Sequence, residues 1–318
     1  MNYKEILENI LKNGIPKQSV RFDSNNNPIP VENGTIGTFC EIFRHDMSQG
    51  FPLTTLRKMP FKSMCVELEG FIKGVTDKRW YQERGCKFWD EWANPQHVNE
   101  ITEVKNNPES KNEHQKLTHD LGPIYGYQWR KFNKEYKDGT IGNQKAWFPY
   151  DNGGDEKGTD QLRSIVDKLK TNPYDRRMVC SAWNPNQIHL MALPSCHVLH
   201  QVVVYGNKLN LTWFQRSCDS THGVPNNIAS YALLLMLYCE ESGLEPGELV
   251  GVLSDCHVYE NTIEAAKELV SRQENKLPTI KIKRKNDGSF SIFEWTWDEV
   301  ELIDYNPHPP IDMGKVTV

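Results

Sequence analysis

Cys196 is followed directly by His197 in MALPSCHVLHQ (Met191–Gln201), after a proline-containing turn and before an apolar run. A cysteine delivered there, at the entry to a strand, is a candidate nucleophile. A Cys-His pair alone is more often structural; its company sharpens the reading. Arg216 and Ser217 lie in QRSCD, and a guanidinium near a thiol favours the thiolate. Asn226 and Asn227 precede an apolar helix, and an amide that donates and accepts at once can read a pyrimidine edge. Arg176 and Arg177 are paired guanidiniums suited to a phosphate. His257 and Tyr259, two apart and so on one face of a strand, suit a sugar hydroxyl. The chemistry this set supports is attack by sulfur on a pyrimidine nucleotide.

The elements that must carry these residues are legible in part. Helical periodicity predicts helices over Met1–Gly14, with Ile6, Ile10 and Leu11 on one face, and over Phe61–Lys73, Asp160–Lys170 and Asn227–Ser242. The last is apolar nearly all round and so buried, with Gly243 as its terminator. Strands are expected at Arg177–Trp183, Val198–Val204, Lys208–Gln215, Leu249–Val252 and Thr279–Lys283. Helices and strands mix without βαβ alternation, which points to an α+β fold with a mixed or antiparallel sheet. No phosphate-cradling glycine loop is present. The polar stretches 23–33 and 94–120 read as loop insertions in a single domain spanning 1–318, because patterned sequence resumes after each.

Apolar residues make up 38% of the 318 and charged residues 25%, enough to bury a substantial core and stay soluble. A net charge of −5 argues against a broad nucleic-acid surface, so no stable nucleic-acid partner is expected. The 8 cysteines are scattered without a C-x-x-C pair, which disfavours a zinc site or a disulfide framework and fits a reducing compartment. No run approaches the roughly 18–20 apolar residues of a membrane span. A cytoplasmic protein without metal is the expectation, in the host cytoplasm if the source is viral.

From about Gly37 to Val318 the chain resembles the thymidylate synthase family. The resemblance rests on SQGFPLTT (Ser48–Thr55), VELEGFIKGVTD (Val66–Asp77), FWDEW (Phe88–Trp92), LGPIYGYQWR (Leu121–Arg130), DRRMVCSAWNP (Asp175–Pro185), MALPSCH (Met191–His197), QRSCD (Gln215–Asp219), NIASYALL (Asn227–Leu234), DCHVYEN (Asp255–Asn261) and YNPHPPI (Tyr305–Ile311), all in order. It implies a six-stranded mixed sheet whose back faces the partner of a homodimer. It also implies that Cys196 adds to C6 of dUMP and that C5 takes the methylene of 5,10-methylenetetrahydrofolate, a co-substrate, giving dTMP and dihydrofolate. By resemblance, Arg216, Ser217 and Gln215 serve the nucleotide, with Arg176 and Arg177 arriving from the other subunit. Asn227 reads the base, His257 and Tyr259 bind the ribose, Glu67 organises proton-carrying water, and Tyr125 assists loss of the C5 proton. Trp89, Trp92, Leu193, Asp219, Gly223 and Asn226 face the folate, and Val318 closes the lid.

The departures cluster on the folate side. The family's phenylalanine before the base-reading asparagine is Asn226 here, its leucine before the nearby glycine is His222, its histidine after Thr55 is Pro60, and its tryptophan beyond Glu67 is Gly70. A phosphate-touching arginine falls at Asn33, with Arg21 upstream as a possible substitute. Phage pyrimidine hydroxymethylases, members of the same family, quench the same adduct with water. A polar side chain at 226 could admit that water, so 5-hydroxymethyl-dUMP with tetrahydrofolate is the alternative product. Retained Trp89, Trp92 and Val318 favour the reductive outcome. A non-catalytic RNA-binding member is the remote alternative. His45, His189, His200 and Trp213 are assigned to packing, and His222 is left open.

Overall fold

In a computed structural model the described residues are 1–22, 27–92, 119–134, 136 and 158–314. Most of the 94–120 insertion and Val318 lie outside them. Seven helices are described: α1 (Tyr3–Asn13), α2 (Phe61–Lys73), α3 (Lys78–Glu83), α4 (Tyr125–Lys131), α5 (Gln161–Thr171), α6 (Gly223–Ser242) and α7 (Ile263–Ser271). The strands are β1 (Ile15–Lys17), β2 (Val20–Phe22), β3 (Pro28–Pro30), β4 (Thr35–Asp46), β5 (Val179–Ser181), β6 (His197–Tyr205), β7 (Lys208–Asp219), β8 (Glu245–Tyr259), β9 (Thr279–Ile282) and β10 (Val300–Ile303).

Six strands form one sheet in the order β1-β4-β8-β7-β6-β5. Neighbours are antiparallel except β7 and β8, which run parallel, so the sheet is mixed as expected. The parallel pair follows from α6, the crossover that returns the chain from the end of β7 to the start of β8. α6 lies on one face, where Trp213 of β7 stacks on Tyr231 at 5.0 Å and 14°. Along β7 and β8 the buried Leu209, Leu211, Trp213, Leu249 and Leu253 alternate with half-buried Phe214, Val250 and Val252 on the other face. That second face also carries Phe39, 87% exposed, and Ile42, an unusual cost for an isolated molecule.

α1 is capped by a reciprocal Asn2–Glu5 box and buries Ile6, Leu7 and Ile10, so the apolar face is turned by one position from the expected Leu11. α2 keeps its expected bounds and ends at Gly74 in the left-handed region. α6 starts at Gly223, four residues before the expected Asn227, because Pro225 fits a first turn whose N–H groups need no partner. β4 was not foreseen: its buried and exposed positions do not alternate cleanly, and Cys40 has φ 61°. Residues 28–30, expected as loop, pair with Val20–Phe22 as a hairpin.

Candidate active site

A cavity of about 800 Å³ opens at the end of the sheet where β6 begins and β7 and β8 finish. Cys196 sits at its wall, one residue before β6, and its backbone is pinned twice. Its N–H donates to Tyr125 Oη at 2.8 Å, and its carbonyl accepts from Arg216 N–H at 2.9 Å. Arg216 Nε and Nη2 donate to Ser195 O and Pro194 O at 3.1 and 2.8 Å, clamping the turn, with Nη2 3.9 Å from the sulfur. A bulge between His197 and Leu199 marks this end of the β6–β7 ladder, a common device for re-aiming side chains at a site.

Burial pushes the Cys196 thiol up, and the Arg216 charge only partly offsets it. Arg216 is thus placed to favour the thiolate, as expected from the sequence, while desolvation of the sulfur works against it.

The end of the cavity that holds Asn227 is tied together by hydrogen bonds. Gln215 Nε2 donates to Asn227 Oδ1 at 3.0 Å and to Ser217 O at 3.0 Å. This fixes the Asn227 amide with Oδ1 held and Nδ2 left to donate. His197, which the sequence reading left without a role, also lines the cavity. Burial drives its pKa down to about 4 against a hydrogen bond that the ring donates to Asn227, so the ring is neutral at pH 7. Ser217, His257 and Tyr259 complete this half, and the His257 and Tyr259 rings meet edge to face at 5.1 Å.

Across the cavity, Glu67 projects from α2 and accepts from Trp89 Nε1 at 3.0 Å. Burial raises its carboxyl to about 7, with the Trp89 hydrogen bond opposing. A carboxyl poised there can take or give a proton at neutral pH. Tyr125 stacks on Phe71 at 4.8 Å and 20°, and burial keeps its phenol protonated. The stack needs α2 and α4 in close contact: a Cβ on Gly126 would stand 2.2 Å from the Phe71 carbonyl oxygen. Gly70 has a similar reason. A Cβ there would be 2.3 Å from the Tyr81 ring, so Tyr81 fills the room beside the helix.

The remaining wall holds Trp89, Trp92, Leu193, Pro60, Asp219, His222, Gly223 and Asn226. Burial alone would raise the Asp219 carboxyl, but hydrogen bonds from His222 and Thr221 hold it near 2. His222 Nδ1 lies 3.2 Å from Asp219 Oδ2, and His222 Nε2 is buried with no partner among the described residues. Asn226 Nδ2 donates to His222 O at 2.8 Å. Apolar rings around an ionised acceptor fit a flat heteroaromatic co-substrate bearing N–H groups.

Fifteen of the nominated residues thus share one cavity: Cys196, Glu67, Tyr125, Arg216, Asn227, Ser217, Gln215, Asp219, His257, Tyr259, Trp89, Trp92, Leu193, Gly223 and Asn226. Arg176 and Arg177 are exposed on the turn before β5 and do not line it. Sequence reasoning missed Arg57 and Phe71 in the wall; Phe71 looked like core, and Arg57 carries no motif. His200 is buried against Tyr238 Oη at 3.0 Å, as packing requires. Among the described residues no group of three or more potential metal ligands occurs, and no helix is long and apolar enough to cross a membrane.

A family model described as Thymidylate synthase matches residues 1–317. The bifunctional dihydrofolate reductase-thymidylate synthase of Paramecium tetraurelia is 36% identical over 311 residues, covering 98% of this chain. The chain spans 60% of that relative's length. With the family model covering nearly every residue, the chain belongs to the thymidylate synthase family.

Proposed function

We propose that the protein transfers the one-carbon unit of 5,10-methylenetetrahydrofolate to C5 of dUMP, giving dTMP and dihydrofolate. The observation that carries this is that one cavity is lined by Cys196, by an Asn227 amide held by Gln215, and by a buried carboxyl, Glu67, whose pKa is raised to about 7. Asn227 holds the uracil edge so that C6 meets the sulfur. The Cys196 sulfur adds to C6, its proton passing to water, and C5 so activated takes the methylene; loss of the C5 proton frees the folate, whose hydride reduces the exocyclic methylene to methyl as the Cys196–C6 bond breaks. Glu67, through water, supplies and removes protons at the base and co-substrate, and Tyr125 takes part in loss of the C5 proton. Arg216 and Ser217 hold the phosphate; His257 and Tyr259 hold the ribose. Trp89, Trp92, Leu193 and Asp219 hold the folate ring, and Val318 closes over it.

A second product has a specific observation behind it. Asn226 and His222 make polar a stretch of wall beside the reacting carbon, and water captured there would yield 5-hydroxymethyl-dUMP and leave tetrahydrofolate unoxidised. Incubation with dUMP and methylenetetrahydrofolate, with both products identified by mass, decides. Dihydrofolate formed in step with dTMP is expected; 5-hydroxymethyl-dUMP without an absorbance rise from dihydrofolate overturns it.

We also propose a cytoplasmic homodimer joined through the uncovered sheet face, with Arg176 and Arg177 completing the partner's phosphate site. The exposure of Phe39, Ile42 and Val179 supports this. Inactive Cys196→Ala and Arg176→Ala/Arg177→Ala subunits should regain activity when mixed and reassociated. Hybrids that form without activity count against shared sites.

A further inference from the structure

The His257 ring has one nitrogen committed to the protein. Its Nδ1 lies 3.1 Å from Asp255 O and 3.4 Å from Asp255 Oδ1, both acceptors, so Nδ1 carries the hydrogen. Nε2 then holds the lone pair, and at the cavity wall it can accept from a ligand hydroxyl. Which nitrogen is offered, and where the ring points, depend on Asp255. The Asp255 side chain has one further charged partner, Lys17, whose Nζ binds Asp255 Oδ2 from the edge strand β1. Lys17 is not among the residues that line the cavity.

Asp255 is also an awkward neighbour for a nucleotide. It stands in register with Ser217 across the parallel β7–β8 pair, so its negative charge lies beside the half of the cavity assigned to the phosphate. A carboxylate beside a dianion's site repels it unless a cation accompanies the carboxylate. The Lys17–Asp255 pair is itself half-exposed, 50% and 42% for the two side chains, so its contribution to fold stability is small. A role in stability therefore does not account for it.

We propose that Lys17 is a positioning residue of the nucleotide half-site: by pairing with Asp255 it neutralises that carboxylate and fixes it where it orients His257 toward the ribose 3′-hydroxyl. This rests on the reading of His257 as a ribose ligand. Lys17 acts through Asp255 and touches neither substrate nor reacting atoms.

The test is steady-state kinetics of Lys17→Ala, Lys17→Arg and Lys17→Ala/Asp255→Asn with dUMP and with 2′,3′-dideoxy-UMP, alongside His257→Ala. Lys17→Ala should raise KM for dUMP about 3–10-fold, kcat changing less, and lower the preference for dUMP over the dideoxy analogue by a similar factor. Lys17→Arg should restore both. Asp255→Asn in the Lys17→Ala background should recover much of the KM, because the amide still accepts from His257 without the unpaired charge. A Lys17→Ala enzyme with unchanged dUMP preference overturns the proposal, as does a KM rise that Asp255→Asn does not relieve. If His257→Ala leaves the 3′-hydroxyl preference intact, the ribose reading itself fails; if His257→Ala abolishes it and Lys17→Ala does not, only the role of Lys17 falls.

Discussion

The two halves of the cavity are built differently. The half proposed for the nucleotide joins the ends of β7 and β8 to Asn227 of α6, and its polar side chains are tied to the protein: Gln215 to Asn227, Arg216 to the Pro194–Ser195 turn, His257 to Asp255. The half proposed for the folate joins Asp219 at the end of β7 to the turn and first residues of α6, where His222 keeps a buried nitrogen with no partner among the described residues and Asn226 reaches back to the backbone. On the proposed reading, base choice and covalent attack are set by side chains already tied in place, and the fate of the transferred carbon by a wall with room to change.

The comparison is sharpest at the sulfur. Cys196→Ala should lower turnover by about 10⁴-fold or more, since no other group can bond C6, while dUMP binding by calorimetry stays close to wild type. Tritium release from C5-labelled dUMP that survives in the variant would remove Cys196 from the mechanism.

Glu67→Gln should cut kcat by about 10²–10³-fold, the usual range for a positioned acid–base group. It should also separate catalysis from stability. With a folded pKa near 7 against 4.5 when unfolded, Glu67 keeps its proton longer in the fold. Stability conferred on the protonated form is present below pH 4.5 and is lost as pH rises toward 7, a deficit on the order of 3 kcal/mol above it. Removing the charge should then raise the Tm at pH 8 and change it little at pH 4.5. Equal shifts at both pH values would place Glu67 in water rather than in the dry wall.

Asn227→Asp tests the rigid half. The carboxylate can still accept from Gln215 but no longer donates to uracil O4, so the ratio of kcat/KM for dUMP over dCMP should fall by about 10–10²-fold. An unchanged ratio would take base reading away from this side chain.

Asn226→Phe should have the smallest effect, because it alters the adaptable half: a change in folate KM of about 2–10-fold with kcat for dUMP kept within a few-fold. Any 5-hydroxymethyl product of the wild type should diminish in this variant. A loss of turnover comparable to Cys196→Ala would show that the two halves are not separable.

Much of this was written locally. α2, with its expected bounds, and the cores of β6, β7 and β9 follow from periodicity, and Gly74 and Gly243 end their helices by left-handed geometry that glycine adopts without strain. The order of the motifs was enough to identify the family. β4 was hidden because a strand open on one side, with Phe39 exposed and Cys40 kinked, does not alternate as a half-buried strand should. The desolvation of Cys196, the raised carboxyl of Glu67 and the Lys17–Asp255–His257 chain were hidden for a different reason. Residue type and spacing along the chain fixed which groups were available. Desolvation, and contacts between residues more than two hundred positions apart such as Lys17 and Asp255, exist only once the sheet is assembled, and they decide which nitrogen, which oxygen and which protonation state each group presents.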